Sequence, residues 1–256
     1  MQIRYLFLTL MLAIGPSPVL ADNNAGPDKE VMTEHMPNVG RYGESAAVDP
    51  AKFKFSTAEV ELWMEDHLHN IDKPARLYYA FNKSGSFEEG FSDSVYLDIL
   101  DINKDGTKNA SLKFMSGARE QHFAHAGNLT HITGNPVLGV YLQGDVNEMN
   151  RLTEGSWRYF QKRIKLALAK TAKVDPTRFE FEGKKIEGEV ITLIPYAKDP
   201  RRRRFEKFAD KRYEITLSDS VPGTLYQIKT IVPDGNGKEP LIEEILTLQH
   251  VEFRDR

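Results

Sequence analysis

The chain has no cysteine among its 256 residues. That excludes disulfides, a thiolate nucleophile and any zinc site built on Cys. It also has no long apolar run beyond its first residues, so no spanning helix is expected in the body of the chain. Several signatures are missing as well. No Gly-x-Ser-x-Gly elbow, no phosphate-cradling Gly loop and no His-Glu-x-x-His helix occurs. Hydrophobic content of 40% and charged content of 28% are ordinary for a globular protein with a sizeable core.

What is present begins with an export signal. Arg4 supplies a positive n-region, Tyr5 to Ile14 is a short apolar run, and Val19-x-Ala21 leaves small residues before a cleavage point ahead of Asp22. No Cys follows, so no lipoprotein anchor is expected. A long exported chain without disulfides fits a bacterial periplasm. Residues 22–50 are polar, rich in Asn, Gly, Pro and Glu, and read as a flexible tail. Residues 51–256 read as one α+β domain whose helical centre spans 135–170.

Within that domain, Phe55-Ser56-Thr57-Ala58-Glu59-Val60 carries a capping box and a hydrophobic staple, predicting a helix from Thr57 to about His69. On a helix, His67 and His69 diverge, so exposed or satisfied histidines are a better reading than a metal pair. Strands are expected at Arg76–Phe81, Ser94–Leu100 and Asn109–Met115, the last two alternating apolar and polar residues. Asp101 to Asn109 resembles the start of an EF-hand loop but has Leu112 where the bidentate Glu belongs; an Asp-Gly hairpin turn explains it better. His122, His125 and His131 fall in a Gly- and Asn-rich stretch read as loop.

Asn135-Pro136 is a strong helix start. Val137, Leu138, Tyr141, Leu142, Val146, Met149 and Leu152 then recur at helical spacing. Ser156 suits the cap of a second helix, Trp157 to Lys170, with Trp157, Phe160, Ile164, Ala167 and Leu168 in one stripe. After Asp175-Pro176, a second block of strands is expected at 178–181, 187–196, 213–218, 225–232 and 241–253.

Charge is uneven: residues 156–212 hold 17 Lys/Arg against 8 Asp/Glu, and the rest of the chain after residue 21 holds 16 against 29. Nucleic acid is a poor partner for an exported, net acidic chain. The cluster Arg201, Arg202, Arg203 and Arg204 is the candidate anion-binding element.

Gly134-Asn135-Pro136-Val137, the run Gly144 to Thr153, Tyr159-Phe160 with Arg163-Ile164, and Ser218 to Gly223 resemble an uncharacterised family of exported proteobacterial proteins. That resemblance implies localisation and brings no established activity. In its order of elements the chain also resembles, more loosely, the periplasmic lipoprotein carriers of LolA/LppX type, which implies an open barrel holding acyl chains against helices. The fold expected is α+β: a curved antiparallel sheet, an open half-barrel, with helices on its concave face. The function expected is a non-catalytic periplasmic binding or carrier protein for an apolar or amphiphilic, lipid-like ligand, with Tyr141, Leu142, Met149, Trp157 and Phe160 lining the groove. No metal, cofactor or catalytic residue is called for. The alternatives are an exported hydrolase or metal enzyme using the loop histidines, and an envelope-complex protein making transient membrane or protein contacts.

Overall fold

In a computed structural model, residues 54–119, 128–237 and 239–254 are described. The export segment, the tail, His122 and His125 lie outside them. Helix α1 spans Thr57–Trp63, and its start is the one expected. The Ser56 side chain accepts from the Glu59 amide while Glu59 reaches back to the Ser56 amide. It ends earlier than His69 because local groups compete for the next turn. Asp66 accepts from the Leu68 amide, and that amide also turns to the Thr133 carbonyl on another segment.

Nine strands follow: β1 Ala75–Ser84, β2 Phe91–Ile102, β3 Lys108–Phe114, β4 Asn128–Ile132, β5 Lys173–Phe181, β6 Lys184–Leu193, β7 Arg212–Leu217, β8 Leu225–Val232 and β9 Ile242–Phe253. All pair antiparallel in one sheet of order β4-β3-β2-β1-β9-β8-β7-β6-β5. Two meanders are thus joined where β9 pairs with β1. The turn between β2 and β3 is a hairpin, closed by the Asn103 amide on the Thr107 carbonyl, with Gly106 at φ 85°.

Two further details differ from the sequence reading. His131 lies on β4, an edge strand, rather than in a loop. β5 runs through Pro176 instead of starting after it. β5 is the outermost strand, the kind of strand on which proline is tolerated.

The one long crossover, from β4 at one edge to β5 at the other, is the helical centre: α2 Pro136–Thr153 and α3 Trp157–Lys170. A flat sheet of nine strands would be about 38 Å across. The crossing needs both helices. Asn135 caps α2 by accepting from the Val137 amide, with Pro136 in the first turn. Ser156 occupies the cap position of α3 without a side-chain bond.

The sheet curls around α2. Along the helix, Tyr141 meets β8 and β9, Asp145 meets β7 further out, and Glu148 returns to β1. That order does not follow the order of strands, so strands on both sides rise toward one helix. The helices therefore occupy the concave face of a curved α+β sheet. One apolar core unites both meanders and all three helices.

Candidate functional site

The inward face of the sheet should be apolar by the strand alternation, and mostly it is. Leu77, Tyr79 and Phe81 on β1 point inward, as do Ile242, Leu246 and Leu248 on β9. Charge breaks the pattern at one level. Lys83 shares the parity of Phe81, and Glu244 sits between Ile242 and Leu246. The register places these interruptions side by side: Lys83 opposite Glu244, Glu244 opposite Thr230, Thr230 opposite Tyr213. A polar row therefore crosses four adjacent strands inside an apolar sheet.

One stripe of α2 covers this row. Residues at i, i+4 and i+7 share a helical face, and here they are Tyr141, Asp145 and Glu148. The Tyr141 hydroxyl donates to Glu244 Oε2 at 3.3 Å and lies 3.3 Å from Thr230 Oγ1. The Tyr213 hydroxyl donates to Asp145 Oδ2 at 2.6 Å, and Lys211 Nζ pairs with Asp145 Oδ1. The Asp145 and Lys211 side chains are each 1% exposed. Lys83 Nζ bonds Glu148 at 2.8 Å and Glu88 at 3.2 Å, with Glu244 at 3.6 Å. Arg151 closes the outer end, holding both oxygens of Glu88 at 2.6 and 2.8 Å and Glu148 at 2.8 Å.

Burial sets the protonation of this seam. It pushes Glu148 up, but Arg151 and Lys83 outweigh it and hold the carboxyl at about 2. Glu244 goes the other way. Burial raises it, and Asp145 and Glu148 add to that against Lys211 and Lys83. Burial would lower Lys211, yet Asp145 and Glu244 keep it above the ordinary lysine value. Tyr213 is raised well above the usual phenol, first by burial and then by Asp145.

At the Lys83 end the seam opens into a cavity of about 840 Å³ between α2 and strands β1 to β3. Phe81, Phe91, Phe114, Met115 and Tyr141 form its apolar lining. The Phe81 and Phe91 rings lie 5.4 Å apart, and the Arg119 guanidinium sits 4.0 Å over Phe91. Its rim is charged: Lys83, Glu88, Glu89, Glu148 and Arg151. The volume falls in the range of small-molecule sites. A second cavity of about 930 Å³ lies along β5 and β6, lined by Glu61, Arg178, Glu187, Ser218 and Asp219. It lacks an aromatic lining, and its Arg178–Glu187 pair is almost fully solvated.

Of the five residues expected to line a groove, Tyr141 alone lines the cavity beneath α2. Leu142 and Met149 are fully buried core. The reason is angular: the Tyr141–Asp145–Glu148 stripe faces the opening, and Leu142 and Met149 point elsewhere on the same helix. Phe160 is also core, its ring 5.6 Å from Tyr196 and from Phe205. Trp157 is half-buried beneath Arg158. The four arginines lie in and beside a 3₁₀ segment, Arg202–Phe208, and none lines this cavity. Arg202 pairs with Asp210 at 2.7 Å and Arg201 lies over Tyr159, while Arg203 and Arg204 are exposed.

The strand aromatics and rim charges were not anticipated. The signal for them was present as charge at inward parity, Lys83 after Phe81 and Glu244 before Leu246, and as Asp145 within an apolar stripe. Among the described residues, no three His, Asp or Glu side chains converge as a metal site, and no helix is long and apolar enough to cross a membrane.

No family model and no curated protein matches the chain. Solved structures do. Lipoprotein LppX of Mycobacterium tuberculosis superposes at TM-score 0.29 and 9% identity over 75% of this chain and 93% of its own. A LolA superfamily protein from Nitrosomonas europaea gives 0.24 and 11% over 78% and 95%. LprF from Mycobacterium bovis gives 0.29 and 12% over 79% and 96%. At such scores no ligand, partner or site residue is carried over from them.

Proposed function

We propose that this is an exported, non-catalytic binding or carrier protein for an apolar or amphiphilic, lipid-like ligand. The observation behind the reading is the cavity under α2, whose lining joins four apolar side chains, Phe81, Phe91, Phe114 and Met115, to charged groups on its wall and at its mouth. An apolar chain gains by leaving water for Phe81, Phe91, Phe114 and Met115. A polar head stays at the mouth beside Glu88, Glu148 and Arg151. The seam behind the cavity contains no Ser, Cys or His nucleophile, and its lysines are each held by carboxylates, so it serves as a rigid wall.

The test has two arms. Protein expressed with its own N-terminal segment is recovered from the periplasm and weighed by native mass spectrometry, where a co-purifying amphiphile is expected. Delipidated protein is then titrated with the neutral, environment-sensitive probe N-phenyl-1-naphthylamine, where saturable fluorescence enhancement is expected. No adduct together with no saturable probe binding would remove the reading.

A further inference from the structure

The reading just given leaves the chemistry of the head group open, and the charges at the mouth address it. Each cation there is already engaged. The ammonium of Lys83 has three donors and faces three carboxylates, Glu148 at 2.8 Å, Glu88 at 3.2 Å and Glu244 at 3.6 Å. Arg151 is forked onto Glu88 and bonded to Glu148. Arg119 sits over the Phe91 ring with the buried Asp93 carboxylate 3.9 Å away.

Carboxylates outnumber these cations on the cavity wall. Besides Glu88, Glu148 and Glu244, the lining includes Asp145 and Glu89. Asp145 is matched from behind by Lys211. Glu89 is exposed and has no ion pair or hydrogen bond among the described residues.

We infer, resting on the carrier reading, that the cavity takes amphiphiles whose head is non-anionic and donates hydrogen bonds, such as a protonated amine, a polyol or an amide, and rejects carboxylate and phosphate heads. An anionic head would have to displace Glu88 or Glu148 from Lys83 or Arg151, leaving a carboxylate stranded beside new negative charge. A donor head meets carboxylate lone pairs that the bound cations leave open, and Glu89 with all of its own. The raised Glu244 carboxyl agrees with this: burial and the neighbouring Asp145 and Glu148 already make further negative charge unfavourable there.

The experiment is displacement of N-phenyl-1-naphthylamine by four amphiphiles with the same twelve-carbon chain, each below its micelle threshold: dodecylamine, glycerol monolaurate, laurate and dodecyl phosphate. The amine and the glyceride are expected to displace the probe at about tenfold lower concentration than the two anions. Glu89→Lys, at an exposed position, is expected to narrow the amine-to-laurate ratio several-fold, with a smaller weakening of the uncharged glyceride, which loses one acceptor. Laurate or dodecyl phosphate displacing as well as dodecylamine would overturn the head-group inference and leave the carrier reading standing. An unchanged ratio in Glu89→Lys would also count against it. A probe that never binds would overturn the carrier reading, and this inference with it.

Discussion

Asn135 connects four segments through one side chain. Its Oδ1 accepts from the Val137 amide, and its Nδ2 donates to the Tyr79 hydroxyl at 3.0 Å and to the Gly223 carbonyl at 2.9 Å. Its own amide donates to His67 Nδ1 at 3.1 Å. Asn135→Ala would remove a helix cap and strand two buried partners, so a loss of about 3 kcal/mol is expected from urea denaturation. His67 carries the next link. Because Nδ1 accepts from Asn135, the proton sits on Nε2, which donates to the Glu61 carbonyl at 2.6 Å. Burial lowers the His67 pKa below its ordinary 6.5 against the opposing Glu61 carbonyl, Asp66, Glu65 and Asp219. The unfolded chain therefore takes up the proton first as pH falls. The contribution of neutral His67 is complete above about pH 6.5 and is lost as pH drops through the lower folded value. The melting temperature should fall between pH 7 and 5, and His67→Gln should flatten that slope.

At the scale of elements, α2 is joined to the residue just before β7 by the Asp145–Lys211 ion pair, both side chains almost wholly buried. Lys211→Met alone leaves Asp145 charged and without its cation, at a cost of about 3–5 kcal/mol. Adding Asp145→Leu should recover much of that loss, because a matched apolar pair needs no desolvated charge. Denaturation midpoints of the two single variants and the double variant measure this directly, and non-recovery would show that the Tyr213 hydroxyl depends on Asp145 more than the pair itself does. The same helix separates packing from binding. Met149→Ala lies in the core and should cost about 2–5 kcal/mol with unchanged probe affinity. Phe91→Ala lies on the cavity wall, is only half-buried, and should weaken probe binding with a smaller stability loss. Equal affinity in both variants would place the probe elsewhere.

For the whole molecule, topology explains why the cavity lies where it does. Two antiparallel meanders meet at β1 and β9, so the single long crossover must run over the sheet from edge to edge. A curled sheet with helices laid in its hollow leaves space wherever helix and strand diverge, and here that space falls between α2 and strands β1 to β3. The edge strand β5 carries Lys173, Asp175, Arg178 and Glu180 as well as Pro176, which discourages pairing with a second sheet. The proposed export is tested at this scale too. N-terminal sequencing of the mature protein should start near Asp22, and an intact Met1 on cytoplasmic protein would refute it.

Local signals alone determined the helix starts at Ser56 and Asn135, the span of α3, the Asp-Gly hairpin and most strands, because caps, turns and alternation act within a few residues. They also carried the α+β class and the placing of the helices between two strand blocks. Tertiary structure decided the rest. β4 has no pattern of its own and exists because β3 offers it an edge. Lys83 and Glu244 stand 161 residues apart in sequence and become neighbours only through the β1–β9 register. Which face of α2 opens on the cavity follows from the curl of the sheet. An apolar stripe on a helix is the same whether core or ligand covers it, so Leu142 and Met149 could be told from Tyr141 only once the strands were in place.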